Sequence, residues 1–403
     1  MIVCDQERTD KIRVLRQLKT HQEWIGIIAP LTMPEVDLGF AEKCPSWKLE
    51  SRFFPSKIGG APAWLNLAEL PNPDQLSCSK CNHQLKFLCQ IYAPVNEKSD
   101  CFHRTIFVFF CSSAECSNVN RGSFKVFRCQ LPRENAHYPS KPCPETESAN
   151  SDLTPEKFGI SLCAVCGVKG PFSCSQCKKV HYCSKEHQRL DWKGSHKQAC
   201  KTDQQSSVKS EFLLPEFEIV IEPDDYSDSE ASNSDSEDDD KTEVNQELFR
   251  KMMEEGKAGT LSDAKNVDDD LKQMALGEED KQLSKFKSIV KRYPEQILRY
   301  QLDGSPLWIS DKDVPQPEDI LKCTECHGAR VFEFQILPQM LNHMKWDQLK
   351  EESIDWGVLA VYTCQNNCVT GPAYKEEFLW RQALRNFYSY SKSILPQIFC
   401  DPA

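Results

Sequence analysis

Four pairs of cysteines stand with two residues between them, at Cys78/Cys81, Cys163/Cys166, Cys174/Cys177 and Cys323/Cys326, and they constrain this chain more than any other feature. Disulfides need no fixed short spacing, whereas a tetrahedral metal site is commonly built from tight two-cysteine turns. The chain has 403 residues and 21 cysteines, so it is far too long for a small disulfide scaffold. Metal binding in a reducing compartment is the reading that fits, with Zn²⁺ as the ion.

Two of these pairs sit inside an internal repeat. Gly60-Ala61-Pro62-Ala63-Trp64-Leu65 lines up with Gly304-Ser305-Pro306-Leu307-Trp308-Ile309. About fifteen residues later each copy has its cysteine pair. Strands are predicted next, Leu85–Tyr92 in one copy and Arg330–Leu337 in the other. A second strand then runs into a cysteine, Cys111 or Cys364, and each copy closes on Cys116 or Cys368. The shared order argues for duplication. Each copy reads as a zinc-ribbon-like β unit, with Cys78, Cys81, Cys111 and Cys116 holding one ion and Cys323, Cys326, Cys364 and Cys368 another. Such a unit has too little core to stand alone. The two are expected to pack as one pseudo-symmetric split domain. Two unrelated β domains, each with its own knuckle, are the alternative.

Composition divides the rest. The predicted fold class is α+β and β-rich. The segments are an extension over 1–35, an N-terminal β half over 36–135, a linker over 136–159, and a Cys/His/Lys-dense module over 160–201. A strand-containing connector over 202–221 and an acidic disordered linker over 222–284 follow. The C-terminal β half spans 285–382 and a tail 383–403. Between Glu222 and Asp240 there are ten carboxylates and no basic residue. That stretch cannot bury enough apolar surface to offset its ordering entropy. Ser227, Ser232, Ser234 and Ser236 each precede an acidic residue by three positions, which suits an acidophilic kinase. No run of about 18 apolar residues is present, so neither a membrane span nor a membrane partner is expected.

The central module carries the sharpest spacing: Cys163-x2-Cys166-x7-Cys174-x2-Cys177-x5-Cys183-x3-His187-x8-His196-x3-Cys200. Eight ligands suffice for two closed, structural tetrahedral sites. Cys183 and His187, like His196 and Cys200, are four apart and share a helix face. Together with Tyr182-Cys183-Ser184 and the Gln188, Asp191, Trp192, His196, Lys197, Cys200 tail, the pattern resembles the MYND zinc finger. That resemblance implies interleaved sites, Cys163, Cys166, Cys183 and His187 for one zinc and Cys174, Cys177, His196 and Cys200 for the other. It also implies proline-containing peptides as partners. His181 falls outside the ligand set and reads as an ordinary surface residue.

Around the finger, the stretches 36–42, 55–60, 127–133, 214–222, 294–300 and 354–357 resemble the programmed cell death protein 2 family over roughly residues 36–382. The family is similar to dedicated chaperones of a small-subunit ribosomal protein of the universal S-five family, which carry it toward the 40S particle. The resemblance therefore implies a non-enzymatic zinc protein acting in ribosome biogenesis, in cytoplasm and nucleus. Residues 1–35 and those after about 382 depart from the family pattern.

No P-loop, GxGxxG, HExxH or GxSxG motif is present, and catalysis is not expected. The seven cysteines left over are Cys4, Cys44, Cys89, Cys101, Cys129, Cys143 and Cys400, with Cys89 and Cys129 read as apolar filler. A nuclear DNA-binding or transcription-corepressor adaptor, linked to cell death or proliferation control, is the competing function. Seven Lys and Arg against two carboxylates over 163–200 support it. A net charge of −11 and the acidic tract favour the basic ribosomal client. Trp64 and Trp308 are candidate anchors for that client, in a cleft between the halves, unless they are core plugs. The finger, tethered by flexible linkers, is expected to contribute little to its host.

Overall fold

Alternation of apolar residues along the strands sets two faces, and the two faces go to different cores. On Ile106, Val108 and Phe110 one side of a strand joins a cluster fed by every strand of the main sheet; Phe107 and Phe109 join a second cluster on the other side. The computed structural model describes residues 36–117, 122–145, 153–202, 212–224, 281–344 and 354–383. The extension 1–35, nearly all of the acidic tract, the remainder of the tail and the cysteines Cys4 and Cys400 lie outside them.

The strands are β1 (Asp37–Glu42), β2 (Lys57–Ile58), β3 (Lys86–Tyr92), β4 (His103–Phe110), β5 (Phe124–Leu131), β6 (Phe172–Ser173), β7 (His181–Tyr182), β8 (Phe217–Pro223), β9 (Leu298–Tyr300), β10 (Arg330–Ile336), β11 (Val358–Cys364) and β12 (Tyr374–Gln382). All but β6 and β7 close into one barrel in the order β1-β8-β2-β3-β4-β5-β12-β11-β10-β9. The fold is mostly β, as expected.

The order shows how the halves are joined. β5 pairs with β12 along one seam, Tyr374 opposite Cys129. At the other seam the leading strands are exchanged. β1 opens the N-terminal half but pairs with β9 of the C-terminal half, Gly39 opposite Leu298. β8 leads into the C-terminal half but pairs with β2, Ile58 opposite Phe217. The two leading strands also pair with each other. Gly39 lies where β1 runs between β8 and β9; a Cβ there would meet Ile219 and Leu298 at 3.0 Å. β8 runs to Pro223, so Glu222 belongs to the barrel and not to the acidic linker.

The repeat is visible in atomic detail. Gln90 on β3 and Gln335 on β10 occupy equivalent positions. Gln90 Oε1 accepts from the Ala63 N–H at 2.9 Å and its amide donates to the Ala63 carbonyl. Gln335 does the same to Leu307. Each glutamine thus pins the residue before the repeat tryptophan, satisfying both of its backbone groups at once, buried at Ala63 and part-buried at Leu307. Both hairpins also carry a bulge at the same place, between Phe87 and Cys89 and between Phe332 and Phe334.

Each outer face needs a cover, and the covers differ. Over β10–β12, Phe332, Val358, Tyr362 and Phe378 pack against Ile309 and against Phe286 and Val290 of the helix Lys281–Lys291. Over β3–β5, Phe87, Phe107, Phe109 and Phe127 pack against Trp64 and Leu65 and against Val165, Val168 and Tyr182 of the central module. The Trp64 indole donates to the Gly167 carbonyl at 2.8 Å. Gly167 has φ +71, and a Cβ on it would meet the Ala61 Cβ at 2.6 Å. The expectation of a loosely tethered finger is therefore corrected. Burial of aromatic surface on both sides holds it against the barrel. Part of the predicted linker also packs: Tyr138 is buried and its hydroxyl donates to the Trp64 carbonyl at 3.0 Å.

Buried charges cross between the halves. Arg104 on β4 and Glu333 at the β10 bulge are both fully buried and share two hydrogen bonds, one of 2.8 Å. Burial alone would push the Glu333 carboxyl up, but Arg104, Thr363 and Tyr300 together hold it below its ordinary range.

Candidate metal centres

The cysteine pairs converge because one backbone turn is used four times. In each, the N–H of the residue after the second cysteine donates to the carbonyl of the first. These bonds are Asn82 to Cys78, Gly167 to Cys163, Lys178 to Cys174 and His327 to Cys323, at 2.9 to 3.0 Å. All four donor residues have left-handed φ, between 57° and 71°. The turn folds both thiols to one side. Asn and Gly favour this conformation, so Asn82 and Gly167 were readable from residue type; Lys178 and His327 were not.

The remaining ligands arrive on strand ends and helices. Cys111 directly follows β4 and Cys364 ends β11, so strand pairing fixes both. In the central module the helix Lys185–Asp191 begins at Ser184, whose hydroxyl accepts from the His187 N–H at 3.2 Å. This cap sets the first turn, and the turn carries His187 to Cys183. The helical run then opens into a π segment over Trp192–His196, which delivers His196 ahead of Cys200.

Four quartets result: Cys78, Cys81, Cys111 and Cys116; Cys163, Cys166, Cys183 and His187; Cys174, Cys177, His196 and Cys200; and Cys323, Cys326, Cys364 and Cys368. Within each, the ligand atoms lie within 4.8 Å of one another. These are the sets read from the spacing and from the resemblance. Sulfur pairs sit at 3.6 Å for Cys81 and Cys111, 3.7 Å for Cys166 and Cys183, and 3.5 Å for Cys326 and Cys364. A tetrahedron with Zn–S of about 2.3 Å has an edge of about 3.8 Å. A disulfide would bring the sulfurs to about 2.05 Å. The described cysteines are all free thiols, and the donor sets fit zinc. His187 offers Nδ1, 3.1 Å from Cys183 Sγ, and His196 offers Nε2, 3.6 Å from Cys177 Sγ.

The turns also prepare the thiols. In each quartet one knuckle cysteine, Cys78, Cys163, Cys177 or Cys326, is drawn below its ordinary range. For Cys326 the main cause is the Gly328 N–H, which brings it to about 6. For Cys177 burial pushes the other way, but the Lys179 and Val180 N–H groups outweigh it and bring the thiol to about 6. A metal needs the thiolate; the turn N–H groups favour that form at Cys78, Cys177 and Cys326, and the neighbouring Cys166 and Cys183 thiols favour it at Cys163.

The other expected residues fall differently. Cys89 and Cys129 are buried, and burial pushes the Cys129 thiol up to about 12, as inert filler should be. Cys101 is buried and Cys44 and Cys143 are half-buried. His181 is half-buried on β7, and its Nδ1 lies 3.2 Å from the Gly170 carbonyl. It stays outside the ligand sets but is not a plain surface residue. Trp64 is a core plug at 1% exposure, stacked on Phe109, tilted against Phe107 and edge-on to Tyr374. Trp308 is half-buried against the C-terminal outer cluster. Among the described residues both seams between the halves are closed by strand pairing, so the predicted cleft does not open along them. On the finger, Lys178, Lys179, Lys185, Arg189, Lys193 and Lys197 are exposed, while Lys169 is half-buried against the barrel.

Comparison with known proteins agrees with this architecture. Residues 35–145 match the N-terminal domain model of programmed cell death protein 2, residues 280–383 match its C-terminal domain model, and residues 163–200 match the MYND finger. The chain is 46% identical to "Programmed cell death protein 2" of Mus musculus over 86% of its length and 96% of the relative's. It is 25% identical to "Programmed cell death protein 2-like" of Homo sapiens, over 78% of this chain and 85% of that one. It is 22% identical to "Probable 20S rRNA accumulation protein 4" of Schizosaccharomyces pombe, over 86% of this chain and 94% of that one. No solved structure matches. The two domain models flanking a MYND finger, and the mouse relative's identity over nearly its whole length, show that the chain belongs to the programmed cell death protein 2 family.

Proposed function

We propose that the chain is a zinc-stapled protein-interaction platform that chaperones a small-subunit ribosomal protein of the universal S-five family toward the assembling 40S particle. The observation that carries this reading is the fission-yeast relative, named for 20S rRNA accumulation, which aligns with 86% of this chain over 94% of its own length. Four Zn²⁺ ions belong to the platform, two in the finger and one in each β half. All are structural, because four protein ligands leave no open coordination position. They supply folding free energy and no reaction chemistry.

Charge supports separate surfaces for two partners. Ribosomal proteins are basic, and the chain carries a net −11. The exposed lysines of the finger would repel a basic client, so the client belongs on the barrel, with the acidic tract speeding capture. The finger is left for a separate partner carrying a proline-containing peptide. Traffic between cytoplasm and nucleus follows from delivery to a particle assembled in both. A DNA-binding adaptor is the second reading, favoured by those same exposed lysines.

The test is co-purification of the S-five protein with the full chain from translating cells, alongside variants with Asp235–Asp240 neutralised or with Lys178, Lys179 and Lys193 changed to Gln. The proposal expects slower, less salt-sensitive capture in the first and unchanged capture in the second. Absence of the S-five protein from the wild-type complex would overturn it. Steeply salt-dependent binding of duplex DNA, abolished by the lysine changes, would favour the second reading.

A further inference from the structure

The two β-half quartets are equivalent in sequence but differ in what holds them. Around the N-terminal quartet the supports are local: the Ser79 N–H donates to the Gly122 carbonyl, and Lys125 reaches the Gln75 carbonyl. The loop from Cys364 to Cys368 is gripped by three side chains of the other half. Lys98 Nζ donates to the Asn366 carbonyl at 3.0 Å. Gln130 Nε2 donates to the Asn367 carbonyl at 3.0 Å. Arg128 Nη2 points at Cys368 Sγ from 3.9 Å.

Arg128 is fully buried on β5, the strand that forms the seam with β12. Its Nε donates to Glu377 Oε1 at 2.7 Å. The other Glu377 oxygen accepts from Arg330 Nε at 2.8 Å and from the Cys364 N–H at 3.1 Å. Arg330 in turn donates to the Leu321 and Lys322 carbonyls, immediately before Cys323. One carboxylate therefore serves two buried guanidiniums, which leaves a positive charge in excess. A buried charge is costly unless compensated. A zinc held by four thiolates carries excess negative charge, and the Arg128 Nη2 faces one of those thiolates.

We infer that Arg128 is a positioning residue for the C-terminal metal centre, and that this centre is the latch of the β5·β12 seam. Metal binding by Cys323, Cys326, Cys364 and Cys368 and docking of the N-terminal half on the Cys364–Cys368 loop are then one event. Among the described residues no side chain of the other half grips the N-terminal centre in this way, and it is assigned no such role. This rests on the reading that the C-terminal quartet holds zinc.

The experiment uses the zinc-loaded full chain and follows zinc release to a chromophoric chelator. Cys364→Ser identifies the release phase of the C-terminal centre by removing it. In Arg128→Gln that phase is expected to quicken about ten- to a hundredfold, the usual cost of losing an outer-shell partner of a metal site, with the other phases unchanged. Amide exchange gives the second readout. Cys364→Ser should raise exchange in Phe124–Leu131 of the opposite half, whereas Cys78→Ser should leave Tyr374–Gln382 protected. Wild-type release from folded Arg128→Gln, with Phe124–Leu131 still protected in Cys364→Ser, would overturn the inference and leave the zinc reading intact. Cys364→Ser chains that hold as much zinc as wild type would overturn the zinc reading itself. If Arg128→Gln fails to fold, the exposed Lys98→Ala decides: the same phase must quicken, and unchanged release would overturn the latch.

Discussion

Replacing Trp64 should injure the molecule far more than replacing its repeat partner Trp308, although the sequence presents them as equivalents. Trp64 is 1% exposed and sits between the outer face of the N-terminal half and the finger. Its ring lies 5.3 Å from Phe107 and 5.2 Å from Tyr374. Trp64→Ala should cost about 3–5 kcal/mol, the range for emptying a packed aromatic site. Trp308 is half-buried, so Trp308→Ala forfeits only part of its transfer energy, about 1–2 kcal/mol. Trp64→Phe isolates the finger contact. It keeps most of the ring but leaves the Gly167 carbonyl without its 2.8 Å donor, a loss of about 1–2 kcal/mol. Local opening of the finger should then become about five- to thirtyfold more frequent. Urea unfolding followed by circular dichroism gives the first comparison, and amide exchange over residues 163–182 gives the second. Equal losses for Trp64→Ala and Trp308→Ala, or unchanged exchange in Trp64→Phe, would refute the claim that the finger is docked.

Three further outcomes follow from the packing. Breaking the buried pair with Glu333→Leu or Arg104→Met should cost about 3–5 kcal/mol, while the two together should cost less than either alone, measured as a double-mutant cycle. Burial, with Arg133 adding to it, holds His103 neutral down to about pH 4 from an ordinary 6.5. Between those values the unfolded chain binds a proton that the folded chain refuses, so stability is full above 6.5 and falls as pH drops toward 4. His103→Gln should flatten that slope, and an unchanged slope in the urea midpoint would show that His103 is not its source. Gly167→Ala should both strain a left-handed turn and collide with Ala61, giving a finger that exchanges faster than wild type with its zinc retained. Loss of zinc from the finger in that variant would contradict the separation of docking from metal binding.

The metal ligands were legible because zinc writes a short-range code: two cysteines per turn and a ligand at the end of each following element. The duplication was legible for the same reason, and Gln90 and Gln335 stood in matching positions within it. What the sequence hid was non-local. β1 contains nothing that names β9 as its partner across more than 250 residues, and strand exchange has no local signature. The docking of the finger depends on Trp64 meeting Gly167, 103 residues away. A Trp after Gly-x-Pro reads equally as an anchor or a plug until its surroundings are known, and the repeat places one fully buried and one half-buried against an outer cluster. The strand β8 was expected only as part of a connector. Its alternation of Phe217, Ile219 and Ile221 with Glu218, Val220 and Glu222 does not reveal that it closes the barrel.

Zinc counting under native mass spectrometry tests the account most directly. The full chain, purified without a metal-affinity tag, should carry four Zn²⁺ ions, falling to three in Cys364→Ser and in Cys78→Ser and remaining at four in Cys89→Ser. A wild-type chain carrying two ions or fewer would contradict the metal-stapled barrel.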